Sequence, residues 1–213
     1  MSRFLLIIAS LVLMAGSGLA HAETTYYMVM FGAQTQFNAP RTSHTFATFV
    51  KAEDGLVVDE QTISWLPAEG YFGIDYSMPP LRIVPGRNYT LDETIARSPG
   101  RSVQFWGPSE ITPRLYAKAM ERVRYLNGGG TSYKMMILFR DNLRTNPSRN
   151  EPGGAINCIM AVSDIGGYLE TGTARGVEAS GQVLASLSRH LVNGNRNVQA
   201  IADQMHLRER LGW

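Results

Sequence analysis

The stretch "HTFATFVKAEDGLVVDEQTISWL", residues 44–66, decides the fold class of this chain. Its first part, residues 44–50, is rich in Thr, Phe and Val and partly alternates, which predicts a β-strand. The "EDG" at residues 53–55 is a turn signal, and residues 57–66 read as the partner strand. The stretch therefore predicts a β-hairpin or the start of a meander.

The residues on either side of this hairpin predict further strands and several helices. Strands are predicted from apolar and β-type runs at residues 26–31, 102–106 and 133–139. Helices are predicted from capping residues and apolar side chains at helical spacing. A short one starts at the capping box of residues 90–93, others lie at residues 112–126, 157–165 and 183–191, and Asn197 caps a last one. We therefore expect an α+β fold, an antiparallel sheet with helices packed on it.

The first 22 residues read as a signal peptide. Arg3 supplies the positive charge, residues 4–14 are apolar but short for a bilayer span, and Ala20-His21-Ala22 fits a cleavage site. We expect a mature chain of one domain, residues 23–213, in a secreted or periplasmic location. The alternative is that the segment stays as an uncleaved membrane anchor. No later stretch is long enough for a membrane-spanning helix.

Charge and composition argue against several classes of partner. The formal net charge is +2, which is too weak to indicate nucleic-acid binding. The histidines of the mature chain and its one cysteine show no metal-ligand spacing, and no phosphate-cradling motif is present. We therefore expect no metal and no cofactor.

The only cysteine, Cys158, follows a glycine pair and opens a predicted helix. A helix start favours the thiolate, and the N–H groups of Asn157 and Cys158 would suit an oxyanion. Asn157 would alternatively cap the helix. Cys158 itself has two other interpretations, an intermolecular disulfide or a small buried side chain of the core.

His44 is the candidate base for such a thiol, because it begins a strand just after a loop and could face a cleft. His190 and His206 lie late in predicted helices beside arginines and read as solvated. A group that orients His44 would come from the partner strand. The candidates are Glu60, Gln61, Thr62 and Ser64. Their facing depends on the strand register, and Gln61 or Thr62 is favoured.

The order of these motifs, His44 in "SHTFATF" before Cys158 in "NCIMAV", resembles the circularly permuted papain-like cysteine hydrolases. These include the permuted NlpC-type and lecithin:retinol acyltransferase-like families. The resemblance implies a permuted papain-like fold and acyl transfer or hydrolysis through a thioester, with Cys158 as nucleophile and His44 as base. The stretches "HTFATFVKA" and "ISWLPA" also resemble exported bacterial proteins that are uncharacterised, which adds no chemistry.

Two functions follow as hypotheses. The first is an exported cysteine hydrolase or acyltransferase acting on a peptide, cell-wall or lipid-like substrate. The second is a non-catalytic exported binding protein on the same scaffold, with Cys158 buried. Its ligand would meet residues 67–89, a predicted long loop rich in Pro, Gly and Tyr. Aromatic side chains that bracket this loop would line a groove or pack in the core: Trp65, Tyr71, Phe72, Tyr76, Tyr89 and Trp106.

Overall fold

The computed structural model of this chain describes seven stretches: residues 22–34, 43–68, 82–98, 102–135, 154–165, 176–194 and 197–213. Several predictions lie outside the described residues. These are nearly all of the signal peptide, the part of the long loop at residues 69–81 and the end of the strand predicted at residues 133–139.

The first sheet is antiparallel, with strand order β3-β2-β1-β6. Its strands are β1 (Thr24–Gln34), β2 (His44–Glu53), β3 (Leu56–Ile63) and β6 (Ser102–Glu110). The predicted hairpin is confirmed as β2 and β3, with Phe49 opposite Gln61. Asp54 and Gly55 form the turn with φ values of 51° and 81°, a left-handed conformation that suits Asp and Gly.

The second sheet is smaller and has the order β4-β5-β7-β8. Its strands are β4 (Trp65–Pro67), β5 (Ile83–Asn88), β7 (Ser132–Lys134) and β8 (Ala155–Ile156). Only the β7–β8 pair is parallel among the described strands. The long loop predicted at residues 67–89 was wrong for residues 83–88, which form β5. Pro85 and Gly86 are loop signals, but pairing with β4 and β7 overrides them.

The helices follow the predicted caps in most places. They are α1 (Leu91–Ala96), α2 (Pro113–Asn127), α3 (Cys158–Ser163), α4 (Gly176–Ser186), a 3-10 turn (Ser188–His190), α5 (Val198–Gln204) and α6 (Leu207–Leu211). The capping box of Thr90 and Glu93 and the Thr112 cap are confirmed. The helix predicted after Asn197 is confirmed, but the Asn197 side chain makes no capping bond and its backbone is left-handed.

Helices cover both faces of the first sheet. One face packs with α2, α3 and α4 in a core that includes Met28, Ala47 and Phe49. The other packs with α1, α5 and α6 in a core that includes Val29 and Phe46. The expectation of an α+β fold with antiparallel sheets and helices is therefore confirmed. No described helix is both long and apolar enough to cross a membrane.

Candidate functional site

His44 is fully buried on the sheet face that carries α1, α5 and α6. Its ring stacks on Phe46 with centroids 5.1 Å apart, and its backbone lies opposite Ala33. Phe46 and Ala33 both belong to the core on that face. Since residues two apart on a strand share a face, the stacking and the pairing agree on where the imidazole points.

The imidazole is held by a chain of buried hydroxyl groups. Nε2 of His44 lies 2.9 Å from Oγ of Ser64, which lies 2.7 Å from Oγ1 of Thr94. Oγ1 of Thr94 is also 2.7 Å from the carbonyl oxygen of Thr90. The hydroxyl of Thr94 is the donor in both of its contacts, to Oγ of Ser64 and to the carbonyl oxygen of Thr90, and the donor of the bond between His44 and Ser64 is set by the imidazole tautomer. This network joins β2, the β3–β4 junction and α1.

Of the four candidates, Ser64 is the one that forms a hydrogen bond with His44, and not the favoured Gln61 or Thr62. Gln61 donates to Asp59 at 2.9 Å, and the hydroxyl groups of Thr62 and Thr48 are 3.0 Å apart. The remaining candidate, Glu60, pairs with Arg210. Ile63 lies opposite Ala47, and this register places Ser64 on the His44 face. The sequence left that register open, because a slip of one residue exchanges the faces.

Cys158 and Asn157 lie on the other side of the first sheet. Cys158 is 8% exposed and packs in the core that contains Ala47 and Phe49. Oδ1 of Asn157 accepts a hydrogen bond from the backbone N–H of Met160 at 2.9 Å. Asn157 thus caps α3, as one of its two interpretations expected.

The sheet separates the two groups of the hypothetical catalytic pair. His44 shares a face with Phe46, whereas α3 and Cys158 pack against the face of Ala47 and Phe49. A base and a nucleophile need to approach to about 2.6–3.2 Å, directly or through one water. The described residues do not bring His44 and Cys158 together in this way.

The other two histidines in the described part of the chain lie near the surface. His206 is exposed, joins α5 to α6 with φ 53°, and its Nδ1 is 3.5 Å from Glu209. His190 accepts a hydrogen bond from Nε of Arg189 at 3.2 Å. Partial burial lowers the pKa of His190, and the charges of Arg189, Lys118 and Arg114 lower it further.

A surface cleft of about 420 Å³ lies between β6 and the helices α5 and α6. Its apolar part includes Phe105, Val198, Ala202 and Leu207. Its polar lining consists of Gln199, Asp203, His206, Arg208 and Glu209. Local sequence patterns do not predict this cleft, because its lining comes from segments that are almost 100 residues apart in the chain.

Trp213 stands beside this cleft. Its side chain is 67% exposed, and its ring centroid is 5.4 Å from that of Phe105. Its backbone N–H donates to the carbonyl of Arg208 at 2.9 Å, which fixes the residue next to the cleft wall. An exposed tryptophan held in place beside polar side chains offers a flat apolar surface to a ligand.

A second cleft, of about 460 Å³, has an acidic lining that includes Glu23, Asp54 and Glu110. Within the described part of the chain, no group of three or more His, Cys, Asp or Glu side chains is arranged to hold a metal ion. Carboxylates alone do not identify a ligand, so this cleft carries no functional assignment.

Comparisons with protein families, curated proteins and solved structures gave no significant match to this chain. Its function is therefore inferred from its own residues and their geometry.

Proposed function

We propose that the chain is an exported, non-catalytic binding protein whose ligand is a saccharide of the cell-wall type. The ligand would lie in the cleft between β6, α5 and α6 and stack on Trp213. The observation that carries this proposal is the exposed indole of Trp213, held against Phe105 at the edge of that cleft.

The chemistry of the cleft suits a sugar ring. The C–H groups on one face of a pyranose pack against an aromatic ring, while its hydroxyl groups need donors and acceptors around the rim. Gln199, Asp203 and Arg208 supply both kinds of group. The volume falls in the range of about 300–1,000 Å³ that is usual for small-molecule sites.

The backbone at His206 gives further support. This residue lines the cleft with φ 53°, a left-handed conformation that is uncommon for a residue other than glycine. Backbone conformations of this kind concentrate at functional sites. The bend at His206 also separates α5 from α6, so both helices contribute polar side chains to one cleft.

The cysteine hydrolase on a permuted papain-like fold is the competing proposal. It needs His44 within reach of Cys158, and their positions on opposite faces of the first sheet do not support that contact. The burial of Cys158 and the hydroxyl network around His44 instead support structural roles for both. Binding is therefore preferred over catalysis.

We expect Cys158 to resist alkylation by iodoacetamide in the folded protein over the whole range below the ordinary thiol pKa of about 8.5. The physical reason is burial, since the side chain is 8% exposed. The rate should be the same in His44→Gln and should rise when denaturant is added. Fast labelling near neutral pH that disappears in His44→Gln would instead establish a Cys–His pair and favour the hydrolase.

Trp213→Ala should weaken the binding of N-acetylglucosamine oligomers at least tenfold, which corresponds to about 1.4 kcal/mol. The variant removes the stacking surface and leaves the polar rim in place. Isothermal titration calorimetry on the purified protein measures the affinity. Ile83→Ala is the matched control, because Ile83 is also an exposed large apolar residue but lies on β5, away from the cleft.

Two results would contradict the saccharide proposal. One is the absence of binding for N-acetylglucosamine oligomers and for soluble peptidoglycan fragments. The other is binding that Trp213→Ala and Ile83→Ala reduce equally. Either result together with a Cys158 that resists alkylation would reject the saccharide site and leave the structural role of the cysteine intact.

A further inference from the structure

The backbone of Glu23 is paired with the turn of the β2–β3 hairpin, one residue before β1 begins at Thr24. Its N–H donates to Oδ1 of Asp54 at 2.9 Å, and its carbonyl oxygen accepts from the N–H of Asp54 at 3.0 Å. The two bonds form one ring between residues that are 31 positions apart in the chain. The nitrogen of Glu23 is therefore held against a carboxylate.

The Asp54 carboxylate has no cationic side chain as a partner among the residues that the structure describes. It lines the cleft of about 460 Å³ together with Glu23 and Glu110, and none of the described lining residues is a lysine or an arginine. Carboxylates in one cleft repel one another, so a positive charge beside Asp54 would be favourable. In the uncleaved chain the nitrogen of Glu23 belongs to a neutral amide and supplies no such charge.

We propose that cleavage of the Ala22–Glu23 bond turns this hydrogen bond into an ion pair between the α-ammonium group of Glu23 and the Asp54 carboxylate. Water adds across the peptide bond, so Ala22 leaves as a carboxylate and Glu23 keeps an amine that takes up the released proton. The amine is charged at neutral pH because α-amino groups ordinarily titrate at about pH 7.7–8.0. The N···O distance of 2.9 Å already fits a charge-assisted hydrogen bond. Maturation thus adds a stabilising contact to the hairpin.

The residues before this bond suit a signal peptidase, which reads small side chains at the first and third positions on the amino side of the cleaved bond. Ala22 and Ala20 occupy these positions. Ala22, Glu23 and Thr24 are exposed, so the new terminus stays in contact with water and its charge carries no cost of burial. The cleavage rests on the export that is part of the proposed function, and not on the saccharide cleft.

Expression of the full chain in a Gram-negative host, followed by an intact-protein mass of the exported product, tests the cleavage. We expect a mass that corresponds to residues 23–213. A retained signal peptide, or a terminus at any other residue, would overturn the proposal, because the contact with Asp54 belongs to the nitrogen of Glu23. The Trp213 test concerns a different cleft, so the saccharide site and the ion pair can fail separately.

Asp54→Asn in the exported protein tests the ion pair itself. Asparagine also accepts a hydrogen bond and tolerates the left-handed φ of 51° at this position, so the variant removes the charge and keeps the turn. The melting temperature should fall by about 1–3 °C, the shift that one exposed ion pair gives in a chain of this size. Glu121→Gln is the matched control, because it removes an exposed carboxylate from α2 and should leave the melting temperature unchanged.

Acylation of the α-amine near neutral pH gives a second readout, which a purely structural role of Asp54 would not change. The reagent attacks the unprotonated amine, and the ion pair favours the protonated form. Asp54→Asn should therefore raise the acylation rate at Glu23 about two- to fivefold, and Glu121→Gln should not. Peptide mass mapping separates this site from the lysine side chains. Equal acylation rates in the two variants would overturn the ion pair, even with a lower melting temperature for Asp54→Asn, since that loss would then come from the turn alone.

Discussion

Replacing Arg122 with alanine is expected to lower the free energy of unfolding by about 3–5 kcal/mol, the usual cost of breaking a buried ion pair from one side. Arg122 is 6% exposed on α2. Its Nη2 lies 3.1 Å from Oδ2 of Asp164, and its Nε donates to the carbonyl of Ala161 at 3.2 Å. The variant leaves the Asp164 carboxylate and the end of α3 without these donors.

Burial shifts the pKa values of both groups in this pair. Burial raises the pKa of Asp164, which Arg122 opposes, and burial lowers the pKa of Arg122, which Asp164 opposes. Each charge is therefore tolerated largely because the other is present. Removing one partner is expected to cost more than removing both, since a lone buried charge has no compensation.

Urea denaturation measures the effect of Arg122→Ala, with Arg124→Ala as the control. Arg124 is exposed two residues further along α2, so its loss should change stability by less than about 0.5 kcal/mol. The double variant Arg122→Ala/Asp164→Ala should be more stable than Arg122→Ala alone. Equal effects of the two single arginine variants would mean that the buried pair contributes nothing to stability.

The parts of the fold that the sequence predicted are those fixed by neighbours along the chain. The β2–β3 hairpin follows from alternating side chains and a turn at Asp54 and Gly55 that suits a left-handed backbone. The start of α2 follows from Thr112 and Pro113, which cap and open the helix. These signals lie within a few residues of the feature they specify, so no knowledge of distant contacts was needed.

The relation between His44 and Cys158 needed information that lies far along the chain. Alternation alone places His44 with Phe46 and away from Ala47. The helix α3 begins more than 100 residues after His44, and it packs on the face of Ala47 and Phe49. Local sequence patterns do not predict which face of the sheet such a distant helix covers. The contact between His44 and Ser64 depended in the same way on the register of β3.

The cleft beside Trp213 could not be predicted from the sequence for a related reason. Phe105 belongs to β6, whereas Ala202 and Leu207 belong to the last two helices. The sequence placed His206 late in the final helix, whereas its left-handed backbone lies between α5 and α6. Histidine adopts this conformation more often than most residues, but a histidine in the sequence does not predict it. The polar rim of the cleft follows from that bend.

Gly86→Ala is the second large effect that we expect, with a loss of about 3 kcal/mol, the upper end of the range for overpacking a core. A methyl group at residue 86 would meet the ring of Trp65, at 2.7 Å from Cη2 and closer still to Cζ2 and Cε2. Trp65 is fully buried in the core that holds α3, so its ring has no free space to enter. The clash would separate β5 from β4.

Thermal and urea denaturation measure the loss, and Gly181→Ala is the matched control. Gly181 lies inside α4 with no atom near its potential methyl group, so alanine there should stabilise the protein by about 0.5–1 kcal/mol. Trp65→Leu should reduce the cost of Gly86→Ala, because the smaller side chain leaves room. Within the described residues the indole N–H of Trp65 makes no hydrogen bond, so leucine loses none. If Gly86→Ala proves as harmless as Gly181→Ala, or if its cost is the same with Trp65 and Leu at residue 65, then the close packing of Trp65 on Gly86 does not hold the small sheet against the core.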